Sequence, residues 1–534
     1  MTERLKGGQA AIRALEAQGV DVVFGIPGVH TLELYDALRD SSIRHVLARH
    51  EQGAGFMADG YARASGRPGV AVIITGPGIT NVATPVGEAF ADSSPVLVLS
   101  SNVEQQWAGQ MLGHLHDLKD QLGVMAAVTR WNTRATSVTQ VPRAVSRAFA
   151  EMAAGRPRPT HVEVPLDVLS AWDDVAVEPS TPGKPNAPRS TEVDRAVQSI
   201  ASARRPVVYC GGGVITSGAT PEITELATRL GAPVLTSIMG KGAVSEDHPL
   251  ALGALWSRGN AVDQLLREAD LALVFGSKLG AQETDYQQMP LPANLIRIDV
   301  DPVELTRNYP AALAIEADAR ETAIALLRAL EAGPSSEPAW STNQVADVRE
   351  RARTQAWGAD KQGYVEALRG AIPHDGILVN DMTMMSYVLC GLYPVNEPRT
   401  FFFPSGYGTL GFSLPAAIGA KVARPDAVVV AVAGDGGFQY TMQELATAVQ
   451  FRLGIPIVIF NDSTYTAVKD AQAREYDRRF IAVDLINPDY VKLADAYGIP
   501  STVARTPDEL GRAVREASTR DLPTIIDTPI HFDV

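Results

Sequence analysis

Cysteine is almost absent: 534 residues contain only Cys210 and Cys390, far apart along the chain. Two such residues imply no disulfide framework and fit a reducing cytoplasm. Nowhere does an apolar run reach the ~18 residues that a membrane-spanning helix needs. The segment Met1 to Gly7 leads into an amphipathic pattern rather than a secretory apolar run, so neither membrane attachment nor export is expected. Excess positive charge is missing as well. Lys and Arg total 47 against 61 Asp and Glu, a formal net charge of -14. No basic block offsets it, which argues against a nucleic-acid partner.

What is present is a well-packed globular composition, 46% hydrophobic and 20% charged. The length exceeds what one hydrophobic core serves, so about three domains are expected. Apolar strand-like runs (Val20 to Phe24, Val70 to Ile74, Pro95 to Leu99) alternate with helical patterns as far as Leu169, the mark of a doubly wound α/β unit. The proline-rich stretch Glu178 to Pro188 reads as a linker, and Gly333 to Pro338 as a second. The resulting division is 1–178, 189–332 and 342–534. In the middle unit, Gly211-Gly212-Gly213 after Pro206 to Cys210 reads first as a tight strand-to-helix turn.

The strongest chemical signal is Gly434-Asp435-Gly436-Gly437. Val428 to Val432 reads as a buried parallel strand ending in glycines, where backbone can approach a ligand. Met442, Leu445, Ala446 and Val449 recur at helical spacing between Phe438 and Arg452, and Ile455 to Phe460 is a second apolar strand. Such a unit returns Asp462 to the sheet edge beside Asp435. Two carboxylates plus a backbone carbonyl near Ser463 or Thr464 would suit Mg²⁺ shared with a diphosphate, so Asp435, Asp462 and Thr464 are the expected metal ligands.

Three further segments complete a pattern: Arg49-His50-Glu51-Gln52 through Arg63, Thr75-Gly76-Pro77-Gly78-Ile79-Thr80-Asn81, and Ser405 through Ala417. With the Asp435 and Asp462 segments, they resemble the thiamine-diphosphate enzymes of the acetolactate synthase and 2-oxo acid decarboxylase superfamily over essentially the whole chain. The resemblance implies three doubly wound parallel-sheet domains, the first and third sharing a topology. It implies that Glu51 hydrogen-bonds the aminopyrimidine of thiamine diphosphate and shares its proton. Leu410 takes the place of the bulky residue that bends the cofactor, within a segment that includes Gly408. Pro77, Asn81, Thr383, Ser386, Gly434, Gly436, Gly437 and Asp462 fall on cofactor-binding segments. It implies a homodimer or homotetramer, with the Glu51 domain of one chain meeting the Asp435 domain of another. Gly276-Ser277-Lys278-Leu279-Gly280 lacks the Arg-rich run of flavin-binding relatives, which argues against bound FAD.

Decarboxylation of a 2-oxo acid is therefore expected, and three features favour it over acetolactate synthesis. Val468 to Gln472 lacks a tryptophan, Lys278 stands where synthases carry an arginine, and Leu115-His116-Asp117 replaces a Phe-Gln-Glu run. Phe24 through Tyr35, with Ser42 to Val46, is similar to 5-guanidino-2-oxopentanoate decarboxylases. Val29, His116 and Lys278 are the candidate substrate residues, His116 also as a catalytic acid, and Asp117 or Asp120 could face a cationic side chain. Carboligation of two oxo acids, a 2-hydroxyacyl-CoA lyase and an inactive cofactor-binding regulator stand as alternatives.

Overall fold

The computed structural model describes residues 2–180, 183–331 and 340–533. The expected second linker, Gly333 to Pro338, lies outside the described residues, as do Thr181 and Pro182 of the first. Three six-stranded parallel sheets follow one another along the chain. Their inner strands are apolar runs, such as Gly69–Ile73 and Pro206–Cys210, buried throughout because helices cover both faces, whereas edge strands such as Arg44–Leu47 and Trp131–Arg134 are polar and partly exposed.

Across the first sheet the strands run Arg44–Leu47, Val22–Gly25, Gly69–Ile73, Val96–Asn102, Thr160–Pro165, Trp131–Arg134. Across the third they run Phe401–Phe402, Ile377–Asn380, Val429–Gly434, Pro456–Asn461, Thr524–Pro529, Ser501–Val503. Counted along the chain, both orders are 2-1-3-4-6-5, which is the shared topology the resemblance implied. The middle sheet has the order 3-2-1-4-5-6 of a Rossmann unit. The chain begins on a strand, Thr2–Lys6, paired antiparallel with Trp172–Ala176, and the expected amphipathic helix follows as Gly7–Ala17.

One core cluster joins the first and third sheets. At its centre the helix Glu51–Ser65 lies against Ser413–Ala423 with backbone almost touching backbone: a Cβ on Gly60 would stand 2.0 Å from the Ala416 carbonyl oxygen, and one on Gly419 only 1.9 Å from that of Met57. The helices cannot separate without opening the core. Gly419→Ala is expected to lower the unfolding free energy by about 2–3 kcal/mol in urea denaturation, and an unchanged midpoint would show that the crossing yields freely.

The helix expected over 438–452 is broken. Asp435–Thr441 is helical, Met442–Glu444 is a 3₁₀ turn, and Leu445–Gln450 resumes. The break places buried Glu444 under the first domain, where its carboxylate accepts the Arg49 and His50 amides at 3.1 and 3.0 Å and the Thr447 hydroxyl at 2.7 Å. Burial pushes its pKa up to about 7.

Candidate active site

His50 ends the approach to the first site with its Nδ1 accepting the Gln52 amide at 3.1 Å, a side-chain cap that starts the helix at Glu51. A carboxylate in a first turn is favoured by the helix dipole. Gly66, at φ +73°, closes the same helix. Glu51 Oε2 accepts the Asn81 side-chain amide at 2.9 Å. Asn81 rides on the helix Pro77–Asp92, whose first residue is a proline with φ already set for the turn.

Gly76, at φ +68°, precedes that helix, and a Cβ there would collide with His116, whose carbonyl oxygen would lie 2.7 Å away. The sharp turn thus admits the loop that carries His116. His116 and His30 then face each other with ring centroids 5.0 Å apart, and the Nδ1 of each is buried without a hydrogen-bond partner. Burial first, and His116 second, lower the His30 pKa, so His30 is neutral at pH 7. Gln121, fully buried, fixes the Thr75–Gly76 turn by accepting the Thr75 hydroxyl at 2.7 Å. Asp120 is committed to capping the next helix through the Gly123 amide at 2.8 Å. Asp117 accepts the Gly113 and His114 amides at 3.0 Å through Oδ2, while its Oδ1 is buried and unpartnered.

The second constellation sits at the carboxyl ends of two adjacent strands of the third sheet. The first of these strands continues through Gly434, two residues further than its apolar run indicated, and Gly434 pairs with Phe460. Asp435 and Asp462 are thereby brought side by side, as the spacing anticipated. Burial raises the pKa of each, and the Asp462 charge adds to the rise at Asp435. Asn487 donates from one Nδ2 to Asp435 at 2.5 Å and to Asn461 at 3.0 Å. Thr466 donates to Asp462. The Ser463 carbonyl already accepts the Leu485 amide at 2.8 Å, and the Thr464 hydroxyl donates to Val483 at 2.9 Å, which leaves the Thr464 carbonyl rather than its side chain as a third oxygen.

Beside them, Thr383 is the N-cap residue of Met384–Leu392 and makes no side-chain cap bond. Ser386, on the first turn, has a buried hydroxyl with no partner. A Cβ on Gly434 would stand 2.8 Å from the Thr383 hydroxyl, so glycine opens this corner. Free helix-start amides, two hydroxyls and a glycine corner suit a diphosphate, and the adjacent pair of hard carboxylate oxygens suits Mg²⁺. Among the described residues no group of three or more His, Cys, Asp or Glu could hold a metal ion.

Leu410 lies between Gly408 (φ +76°) and Gly411 (φ +82°), two left-handed glycines that turn the chain on either side of buried Thr409 and half-buried Leu410. Val29 is 70% exposed on a 3₁₀ turn; its neighbour His30 is the inward residue. Lys278 lines a separate cavity of about 390 Å³ between the domains, with Asp299 and Glu283; neither Glu51 nor Asp435 lines it. Sequence reasoning passed over His30, Gln121 and Asn487. His30 stood within a quoted segment; Asn487 has only an Asn-Pro turn as its signal.

Comparison with known proteins matches the thiamine pyrophosphate enzyme N-terminal TPP binding domain to residues 5–124, the central domain to 193–326 and the C-terminal TPP binding domain to 381–528. A probable 2-ketoarginine decarboxylase, AruI, of Pseudomonas aeruginosa is 41% identical over 98% of this chain and 94% of its own. A probable acetolactate synthase large subunit of Methanocaldococcus jannaschii is 36% identical over 98% and 92%. The acetolactate synthase isozyme 1 large subunit of Escherichia coli is 32% identical over 99% and 94%.

Proposed function

The chain belongs to the thiamine pyrophosphate enzyme family, and from that premise we propose that it removes carbon dioxide from 5-guanidino-2-oxopentanoate with Mg²⁺ and thiamine diphosphate. When bound, the cofactor supplies an acidic ring carbon that adds to carbonyls and a cationic ring that accepts the electron pair left by carbon dioxide. Asp435, Asp462 and the Thr464 carbonyl would hold the metal, and Thr383, Ser386 and the helix-start amides the phosphates. Glu51, oriented by Asn81, would hold the proton exchanged with the aminopyrimidine, and Leu410 would support the bent shape.

The substrate reading is carried by the unpartnered Asp117 Oδ1 on the loop of His116, a buried acceptor suited to a guanidinium. The named activity of the 41%-identical relative agrees with it. The unpaired ring nitrogens of His30 and His116 would face the substrate carboxylate, and His116 would deliver the proton that replaces carbon dioxide. No flavin enters this reading, because decarboxylation with protonation transfers no electrons to a second carrier.

Exposed apolar residues flank both half-sites, Leu32, Met111 and Leu115 on one and Tyr440, Val468 and Ile486 on the other. They support assembly of the working site between two chains. Asp117→Asn is expected to raise KM for the guanidino acid about tenfold or more while changing that for 2-oxopentanoate little. Equal effects on both substrates would remove Asp117 from recognition. Carboligation is the second reading, and the weaker one, since Lys278 offers a point charge where synthases carry a forked arginine.

A further inference from the structure

The segment that carries Leu410 is held by carboxylates on both sides. Glu88, on the Pro77–Asp92 helix and fully buried, accepts the Thr409 amide at 3.1 Å and the Thr409 hydroxyl at 2.8 Å through Oε2, and the Tyr407 amide at 3.4 Å through Oε1. From the third domain, Asp381 accepts the Gly411 amide with both oxygens, at 3.0 and 3.1 Å, and the Ser413 amide and hydroxyl at 3.3 Å. Residues 409 and 411 are thus fixed, with only Leu410 between them.

We propose that Glu88 and Asp381 are positioning residues that set the height and rotation of the Leu410 backbone, one carboxylate from each of the two domains that share a topology. The inference rests on the reading of Leu410 as the support of the bent cofactor. Apolar packing could bury this loop but would leave its peptide planes free to rock. An acid oxygen that accepts an amide imposes a direction on the N–H, and two such acceptors on neighbouring peptides fix their planes. Burying acidic side chains away from water is costly, and Glu88 sits beside Asp92, a second acid that accepts the Ser405 amide at 3.1 Å. Such an arrangement serves geometry more than stability.

A third tie links this loop to the Glu51 helix. Arg63, on that helix, binds Asp59 at 2.8 Å and Asp92 at 3.1 Å, donates to the Phe403 carbonyl at 3.2 Å, and lies over the Phe412 ring at 4.9 Å. The helix that begins with Glu51 and the loop that ends in Leu410 therefore share one buried charge network. A shift of either is transmitted to the other.

The test compares Glu88→Ala, Glu88→Met, Glu88→Gln and Leu410→Ala in the full-length protein. Met keeps the volume but removes the acceptor; Gln keeps an acceptor for the same Thr409 donors. Amide exchange over 405–413 is read without cofactor, thiamine diphosphate affinity by intrinsic fluorescence, and kcat and KM separately. Glu88→Ala and Glu88→Met should speed exchange of the Thr409 amide about tenfold and lower kcat about 30- to 100-fold with KM little moved, while Glu88→Gln stays within about threefold of the parent. If Leu410→Ala lowers kcat but Glu88→Met alters neither exchange nor kcat, the positioning role is wrong. If Leu410→Ala itself leaves kcat and affinity unchanged, the support reading fails instead, whatever Glu88 does.

Discussion

Replacing Glu51 with Gln is expected to lower kcat by about 10³-fold while the cofactor stays bound. The side chain keeps its size and can still face Asn81, whose amide now reaches the Oε2 carboxylate oxygen at 2.9 Å. What the amide cannot do is share a proton with a ring nitrogen, and that exchange is the one role assigned to Glu51. Exchange of the ring-carbon proton of bound thiamine diphosphate, followed by quenched-flow NMR, should slow with kcat. An unchanged exchange rate would remove Glu51 from the mechanism and leave it a structural carboxylate at a helix start. Affinity for the cofactor is expected to fall less than about tenfold, since the phosphate and metal groups lie elsewhere.

Asp435→Ala should have the opposite signature. Cofactor affinity in Mg²⁺ is expected to weaken by about 10²-fold or more, because one of two carboxylates is lost from an ion that dehydrates reluctantly. Without Mg²⁺ the variant and parent should bind alike. The fold should survive: the Tyr490 hydroxyl donates to the Asp435 backbone carbonyl at 3.2 Å, a bond that truncation leaves in place, and Asn487 keeps Asn461 as a partner. Retained Mg²⁺-dependent affinity in fluorescence titration would refute the metal assignment.

The buried acids also set a pH dependence of stability. Burial, then the neighbouring Asp92, raise Glu88 from 4.5 to about 8, while Arg63 from the Glu51 helix and the Thr409 hydroxyl from the facing loop oppose the rise. A raised carboxyl binds its proton more tightly when folded than unfolded, so the unfolded state holds fewer protons and stability falls as pH rises. The window runs from 4.5 to about 8 for Glu88 and from 4.5 to about 7 for Glu444. Glu88→Gln should flatten the upper part of this decline, by roughly 1–2 kcal/mol at pH 8 in urea titrations of the cofactor-free protein. A decline of the same slope in the variant would assign the proton elsewhere.

Much of the fold was legible because its inner strands are apolar runs bounded by glycine and proline, the pattern that burial on both faces demands. The Asp435 to Asp462 juxtaposition was legible for the same reason: a parallel strand-helix-strand unit leaves few places for its ends. The broken helix after Asp435 was not, since its 3₁₀ turn is imposed by Glu444 reaching across to Arg49 and His50. Such a contact has no local periodicity to betray it. Asn487, Glu88 and Asp381 escaped notice likewise, because each acts on backbone or side chains about 30 to more than 300 residues away. Val29 and His30 show the limit of a linear motif: the segment was identified, but only the fold tells which of two neighbours turns inward.

The most direct measurement is the product formed from 5-guanidino-2-oxopentanoate by the purified protein with thiamine diphosphate and Mg²⁺, read by mass spectrometry alongside carbon dioxide release, with pyruvate as the comparison. The account predicts one 4-guanidinobutanal per carbon dioxide and a much lower rate with pyruvate. Acetolactate or an acyloin as the main product, or faster turnover of pyruvate, would contradict it.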